Sequence, residues 1–285
     1  MLRRQTSGSV VCASCGTLVG VNDDTCYQCG RTNPGLWGYA GAIRRLGSDM
    51  GFVQIVVIGS SVLYMLSLLM SNGQIGMSGL NILAPSQRAL LQLGSSGAVP
   101  FFVLDRWWTV LSAGWLHGSL LHIVFNMMWV RQLGPATADI YGAGRMVIVY
   151  TVAGVVGFLF SSFAGAYMPD IPLLSGAGFT VGASASVFGL LGALVAYGKL
   201  GGSSAETSQA LGYAAALFLF GLVMSGVDNW AHAGGFLGGY LSGRWLDPRR
   251  RERIDHLIAA LICLALSALA IIASVLHFQW MLSRL

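Results

Sequence analysis

The sequence predicts an all-α polytopic membrane protein with a small metal-binding ribbon ahead of its first span. Three observations predict it. Hydrophobic residues make up 55% of the chain and charged residues only 9%, where a soluble domain would carry about a quarter charged. Seven apolar runs approach the ~20 residues that a helix needs to cross a bilayer, at roughly 52–71, 110–131, 146–166, 182–198, 209–225, 230–246 and 257–279. Four cysteines in the polar first 50 residues form two CxxC pairs.

The cysteines come first along the chain. Cys12 and Cys15 form one pair, Cys26 and Cys29 the other, and Gly16 and Gly30 follow them. Four thiolates on two such knuckles can surround Zn²⁺ tetrahedrally, and the metal supplies folding energy that so short a segment cannot draw from a core. Two disulfides or unliganded thiols are the alternative, and a reducing compartment disfavours the disulfides. Residues 1–33 are therefore expected to form a zinc ribbon, and 34–50, with PGLWGYAGAIRRLG, a linker. Cys263, in the seventh run, is expected to be apolar filler. No cleavable signal peptide is expected, because the first 50 residues lack an apolar core segment.

Charge sets the expected orientation. With the N-terminus in the cytoplasm, Arg3, Arg4, Arg31, Arg44, Arg45, Arg131, Arg145, Lys199, Arg244, Arg249, Arg250, Arg251 and Arg253 fall inside, and only Arg88, Arg106 and Arg284 outside. That bias is the positive-inside pattern. It predicts six spans that return the chain to the cytoplasm, a basic loop (DPRRRER, 247–253) and a seventh span, in a plasma or inner membrane. The net charge of +5 is explained by orientation, so no nucleic-acid partner is needed. The outer stretch 73–107 is too long for a simple connection. It mixes Ile82, Leu83, Leu90, Leu91, Phe101 and Phe102 with Gly, Ser and Pro, and Trp107 and Trp108 close it, as suits a segment lying in the interface.

Polar groups inside apolar runs carry the chemistry. The second run holds His117, His122 and Asn126 within WLHGSLLHIVFNMM. His122 and Asn126, four apart, share a helix face, and His117 points elsewhere. Each alone reads equally well as a satisfied buried group, but together they can donate hydrogen bonds into one cavity, as an oxyanion requires. The fourth run opens on Gly182, Ala183 and Ser184. A serine there can be an N-cap, yet the same position offers free backbone N–H groups to a developing negative charge. Ser186 is the competing nucleophile and faces another direction. Gly189, Gly192, Ala185 and Ala193 in the fourth run, and Ala231, Gly235 and Gly239 with Gly234 and Gly238 in the sixth, allow close helix approach. That approach would bring His232 within reach of Ser184 as the base a hydroxyl nucleophile needs; the alternative is an interface histidine.

With these motifs in place, residues 46–246 resemble the rhomboid intramembrane serine proteases. HGSLLHIVFNM (117–127) resembles the family's HxxxxHxxxN signature, GASASVFGLLGA (182–193) its GxSG-type motif, and VDNWAHAGGFLGG (227–239) its histidine motif. The resemblance implies a six-helix core over 51–246, with the basic loop and seventh helix of 247–285 outside it. It implies Ser184 as nucleophile and His232 as base, without a carboxylate. It implies His122, Asn126 and the Ser184 N–H as oxyanion donors, Phe188 against the base, and His117 and Gly182 in support. It further implies transmembrane protein substrates, a water-filled cavity opening outward, and no cofactor for catalysis.

Two departures stand out. Ala185 replaces the usual glycine, which is expected to add a methyl beside the oxyanion hole. The family's Trp-Arg pair reads Trp108-Thr109, which is expected to remove a cation bracing the first outer loop. An inactive rhomboid-like protein that binds and escorts membrane proteins, and a small transporter, are the competing readings; a cytoplasmic partner is expected for the ribbon.

Overall fold

The computed structural model describes residues 4–12, 15–41, 47–169, 176–224, 226–250 and 252–284. Arg3, Arg44, Arg45 and Arg251 of the orientation count, and residues 42–46 of the expected linker, lie outside the described residues.

The ribbon is an antiparallel pair, β1 (Ser9–Val11) and β2 (Leu18–Gly20), with Val10 opposite Val19. Val10, Val19 and Val21 bury against Cys12 and Cys26. So few side chains make a core far too small to hold a fold unaided.

Among the described residues nine α-helices follow: α1 (Phe52–Leu69), α2 (Gln87–Leu93), α3 (Thr109–Ser112), α4 (Leu120–Tyr141), α5 (Ala143–Tyr167), α6 (Ser184–Lys199), α7 (Ser204–Val223), α8 (Asn229–Trp245) and α9 (Ile254–Leu282). Helices α1, α5, α7 and α9 are long and apolar enough to cross a membrane, and α6 is a shorter apolar helix. The protein is an integral membrane protein. Helix α6 is buried continuously from Ala185 to Ala196, so it forms the centre of the bundle. Glycines let α8 lie directly on it: a Cβ on Gly235 would run into the Ala185 carbonyl, and one on Gly239 into the Gly189 carbonyl. Helices α1 and α9 stand at the periphery, each burying a single stripe, such as Val56, Ser60, Tyr64 and Ser67 on α1.

The second span differs from its expected 110–131. Residues 109–112 form the short α3, Ala113–Trp115 a 3-10 turn, and Leu116 is extended. Helix α4 starts only at Leu120, where the Ser119 hydroxyl accepts the His122 N–H at 3.3 Å, and it runs on to Tyr141 through Pro135. The apolar pattern stops at Arg131, but the helix continues because Leu133, Gly134, Thr137, Ala138 and Tyr141 are buried against its neighbours. His117 therefore precedes α4 rather than sitting on it.

The stretch between α1 and α4 contains α2, a π-helical turn at Val99–Val103, and α3. Helix α9 packs on α5, α3 and α2. Its start is fastened to α5: Glu252, just before the helix, accepts the Arg145 N–H at 2.9 Å, and the Arg145 guanidinium donates to His256 Nδ1 in the first turn at 3.2 Å.

Candidate active site

Three helices present polar side chains at one end of the bundle. Ser184 is the first residue of α6, His232 lies in the first turn of α8, and His122 in the first turn of α4. Ala183, the N-cap of α6, makes no side-chain capping bond, so the first-turn N–H groups of α6 lack that partner.

The Ser184 Oγ lies 2.9 Å from His232 Nε2. His232 is buried, and Phe188, one turn along α6 from Ser184, stacks on its ring at 4.2 Å with the planes 14° apart. Among the described residues nothing accepts a hydrogen bond from the other ring nitrogen, Nδ1. The nearest carboxylate along α8 is committed elsewhere: Asp228 caps the helix by accepting the Ala231 N–H at 3.0 Å, and its second oxygen accepts the Ser161 hydroxyl.

His122 is held in one tautomer. Its Nδ1 accepts the Gly118 N–H at 3.3 Å, so a neutral ring carries its proton on Nε2. That nitrogen faces the approach to Ser184: a Cβ on Gly182 would stand 2.6 Å from it, and the φ of +130° at Gly182 independently requires glycine. Asn126 spends one amide N–H on the His122 carbonyl at 2.9 Å and keeps the second. His117, fully buried, meets the His122 ring edge-on at 5.2 Å.

Ser186 is turned away from this cluster, toward α5, where a Cβ on Gly154 would stand 2.7 Å from its Oγ. The Ala185 methyl, expected beside the oxyanion hole, instead faces Gly157 of α5. Arg106 was counted in the sequence only for orientation, yet it is fully buried and donates to the Leu91 and Ser274 carbonyls at 2.8 and 3.1 Å. The stretch between α1 and α4 therefore has a buried cation two residues before Trp108 instead of directly after it. The sequence signal was a lone arginine next to the tryptophans in a charge-poor stretch.

The four ribbon sulfurs lie within 4.8 Å of one another. Cys12 and Cys29 Sγ are 3.8 Å apart, and Cys15 and Cys26 Sγ 3.6 Å. A tetrahedron with Zn–S of about 2.3 Å has edges near ~3.8 Å, so this cage fits a metal. Gly16 and Gly30, at φ +78° and +69°, turn each knuckle by donating to the Cys12 and Cys26 carbonyls. Hydrogen bonds from the Thr17 side chain and backbone lower the Cys15 thiol to about 6. Cys29, despite a backbone hydrogen bond at Arg31, is pushed up to about 11 by burial and by the neighbouring sulfurs. A metal cation would remove that penalty by neutralising the thiolates together.

A serine and a histidine paired between two tightly crossed helices, inside a polytopic membrane bundle, narrow the class of protein considerably. Residues 104–249, just over half of the chain, match the Rhomboid domain, and the chain belongs to the rhomboid family. It is 31% identical over 166 residues to RHOMBOID-like protein 4 of Arabidopsis thaliana, which covers 57% of this chain and 40% of that protein. It is 28% identical over 170 residues to Rhomboid protease GluP of Bacillus subtilis (strain 168), covering 57% of this chain and 31% of the relative. With Rhomboid-like protease 3 of Toxoplasma gondii it shares 26% identity over 190 residues, 65% of each chain. The chain thus spans less than two thirds of the length of each of these relatives.

Proposed function

We propose that the protein is an intramembrane serine endopeptidase that hydrolyses peptide bonds in or near the transmembrane segments of other membrane proteins. One observation carries the reading: Ser184 Oγ and His232 Nε2, from different helices, stand 2.9 Å apart. His232, with its proton on Nδ1, accepts the Ser184 proton as the hydroxyl attacks the scissile carbonyl. The oxyanion is held by the His122 Nε2–H, the free N–H of Asn126 and the Ser184 backbone N–H. His232 then protonates the leaving amine, and water resolves the acyl-enzyme by the same route. Phe188 keeps the imidazole plane fixed, a role that a carboxylate fills in triads. His117 buttresses His122, and Gly182 leaves its Nε2 clear.

In this reading 51–246 is the catalytic core, the N-terminus is cytoplasmic and the site opens to the outer side. A helical substrate must unwind to expose its carbonyl, so substrates carry helix-weakening residues near the outer face and small residues at the cut. Residues 1–33 hold Zn²⁺ through Cys12, Cys15, Cys26 and Cys29 and recruit a cytoplasmic partner or a substrate tail. Unchanged processing of a native substrate after deletion of residues 1–40 would argue against that recruiting role. The Ala185 methyl lies against Gly157, in the contact between α6 and α5, which favours an active enzyme over a rhomboid-like escort.

The test is cleavage of a single-span reporter in lipid by wild type, Ser184→Ala and Ser186→Ala. Product from the first and third but not the second is expected. A folded wild type that is inert on several reporters and unlabelled by a serine-reactive probe would move the assignment to the escort.

A further inference from the structure

Helix α9 lies beyond the matched residues 104–249, and the chemistry above gives it no task. It is nevertheless joined to the end of the bundle that holds Ser184. Along the buried stripe of α9, Ser274 is fully enclosed. Its carbonyl accepts the Arg106 Nη2–H at 3.1 Å, and its hydroxyl accepts the Trp108 Nε1–H at 3.1 Å. The other end of the Arg106 guanidinium donates to the Leu91 carbonyl on α2 at 2.8 Å. Among the described residues Arg106 makes no ion pair. A fully buried cation held by two carbonyls is costly to desolvate, so the geometry it enforces is one that the fold maintains at some expense.

From Arg106 the hydrogen bonds continue toward the nucleophile. The Thr109 hydroxyl donates to the Arg106 carbonyl at 2.7 Å and lies 3.3 Å from the Ser96 hydroxyl. Ser112 donates to the Gly94 carbonyl at 2.7 Å. Ser96 and Thr180 exchange both backbone hydrogen bonds, at 3.0 and 2.8 Å, and Ala98 and Val99 donate to the Ala177 and Gly178 carbonyls. The Ala113 carbonyl accepts the Gly182 N–H at 3.0 Å. Residues 94–113 therefore form a layer held by α9 on one side and paired on the other with 177–182, the segment that leads into Ser184.

We propose that Arg106 and Ser274 are positioning residues through which α9 holds segment 177–182, and with it the oxyanion donors around Gly182 and Ser184, in place. The kinetic part of this inference rests on the protease reading; the structural part does not.

The experiment uses the full chain in lipid nanodiscs, with Arg106→Met, Arg106→Lys, Ser274→Ala and Trp108→Phe. The first readout is the rate at which a small soluble fluorophosphonate labels Ser184; this probe needs the oxyanion hole but no capture of a transmembrane helix. The second is hydrogen exchange at the Thr180 and Gly182 amides. Arg106→Met is expected to slow labelling about tenfold or more, as a sub-ångström displacement of catalytic groups would, and to speed exchange at those two amides while the interiors of α5 and α7 keep wild-type protection. Arg106→Lys recovers part of the rate, because an ammonium still serves one of the two carbonyls. Ser274→Ala and Trp108→Phe give equal, smaller losses that do not add when combined, since both remove one hydrogen bond. Wild-type labelling and exchange in Arg106→Met would overturn the inference, as would exchange that rises uniformly through the molecule. If wild type is never labelled but exchange at Thr180 and Gly182 still rises selectively in Arg106→Met, the protease reading falls and the bridge stands.

Discussion

Gly157 sits where three helices meet behind the Ser184–His232 pair. A Cβ at this position of α5 would stand 2.6 Å from the Ala231 carbonyl oxygen and 2.7 Å from the Ala185 Cβ, whereas ordinary contact begins at 3.4 Å. Ala185 follows Ser184, and Ala231 precedes His232. A methyl in Gly157→Ala therefore acts as a wedge against both residues, with a shortfall of about 0.8 Å relative to that contact distance. If about half of that shortfall is relieved by separating α6 from α8, the 2.9 Å Ser184–His232 hydrogen bond stretches to about 3.3 Å, the weak end of the hydrogen-bond range. Overpacking costs about 1–3 kcal/mol, and the better helix propensity of alanine returns up to about 1 kcal/mol. The expected result is a net loss of up to about 2 kcal/mol in stability and a rate loss of about sixfold, given about a hundredfold per ångström of misplacement. Thermal unfolding in detergent and cleavage of a single-span reporter measure the two effects. Gly212→Ala on α7 is the control, because a Cβ there meets nothing within 4 Å, and it should retain activity and unfold no lower than wild type. A Gly157→Ala protein as stable and as fast as wild type would refute the claim that this crossing sets the dyad distance.

Two further outcomes follow from the geometry. Asp228 serves as a helix cap, so Asp228→Asn should retain most reporter cleavage, while Asp228→Ala should lower stability by about 1 kcal/mol and loosen the start of α8; a loss near ten-thousandfold in Asp228→Asn, as for a triad acid, would contradict that role. Purified protein should carry one zinc per chain by elemental analysis, and Cys12→Ser or Cys26→Ser should abolish it and unprotect only the ribbon amides, since metal binding supplies the ribbon's folding energy; zinc-free wild type with a protected ribbon would count against the cage.

Much of the architecture could be read along the chain because a bilayer leaves few options. Apolar runs become helices, and small residues every fourth position become helix crossings, as at Gly235 and Gly239. Sequence and structure part company where tertiary packing overrides local pattern. Helix α4 passes Arg131 and Pro135 because its later residues are covered by neighbours, which no hydropathy window reports. The Trp108-Thr109 pair implies the loss of a cation from this stretch, but the guanidinium of Arg106, two residues before Trp108, ties it to α2 and α9. The methyl of Ala185 was expected beside the oxyanion donors, but the helical phase of α6 turns it toward α5.

The sequence by itself determined that the protein lives in a membrane, that its cysteines can form a metal knuckle pair, and that a serine and a histidine lie at the starts of two close-packing helices. These properties follow from composition and spacing, which are local. Only the tertiary structure decided that Ser184 and not Ser186 faces His232, that a neutral His122 carries its proton on Nε2, and that Ser274 of α9 is hydrogen-bonded to Arg106 and Trp108. Each of those depends on which side chains meet across tens of residues, and a distance between helices is not written in either helix alone.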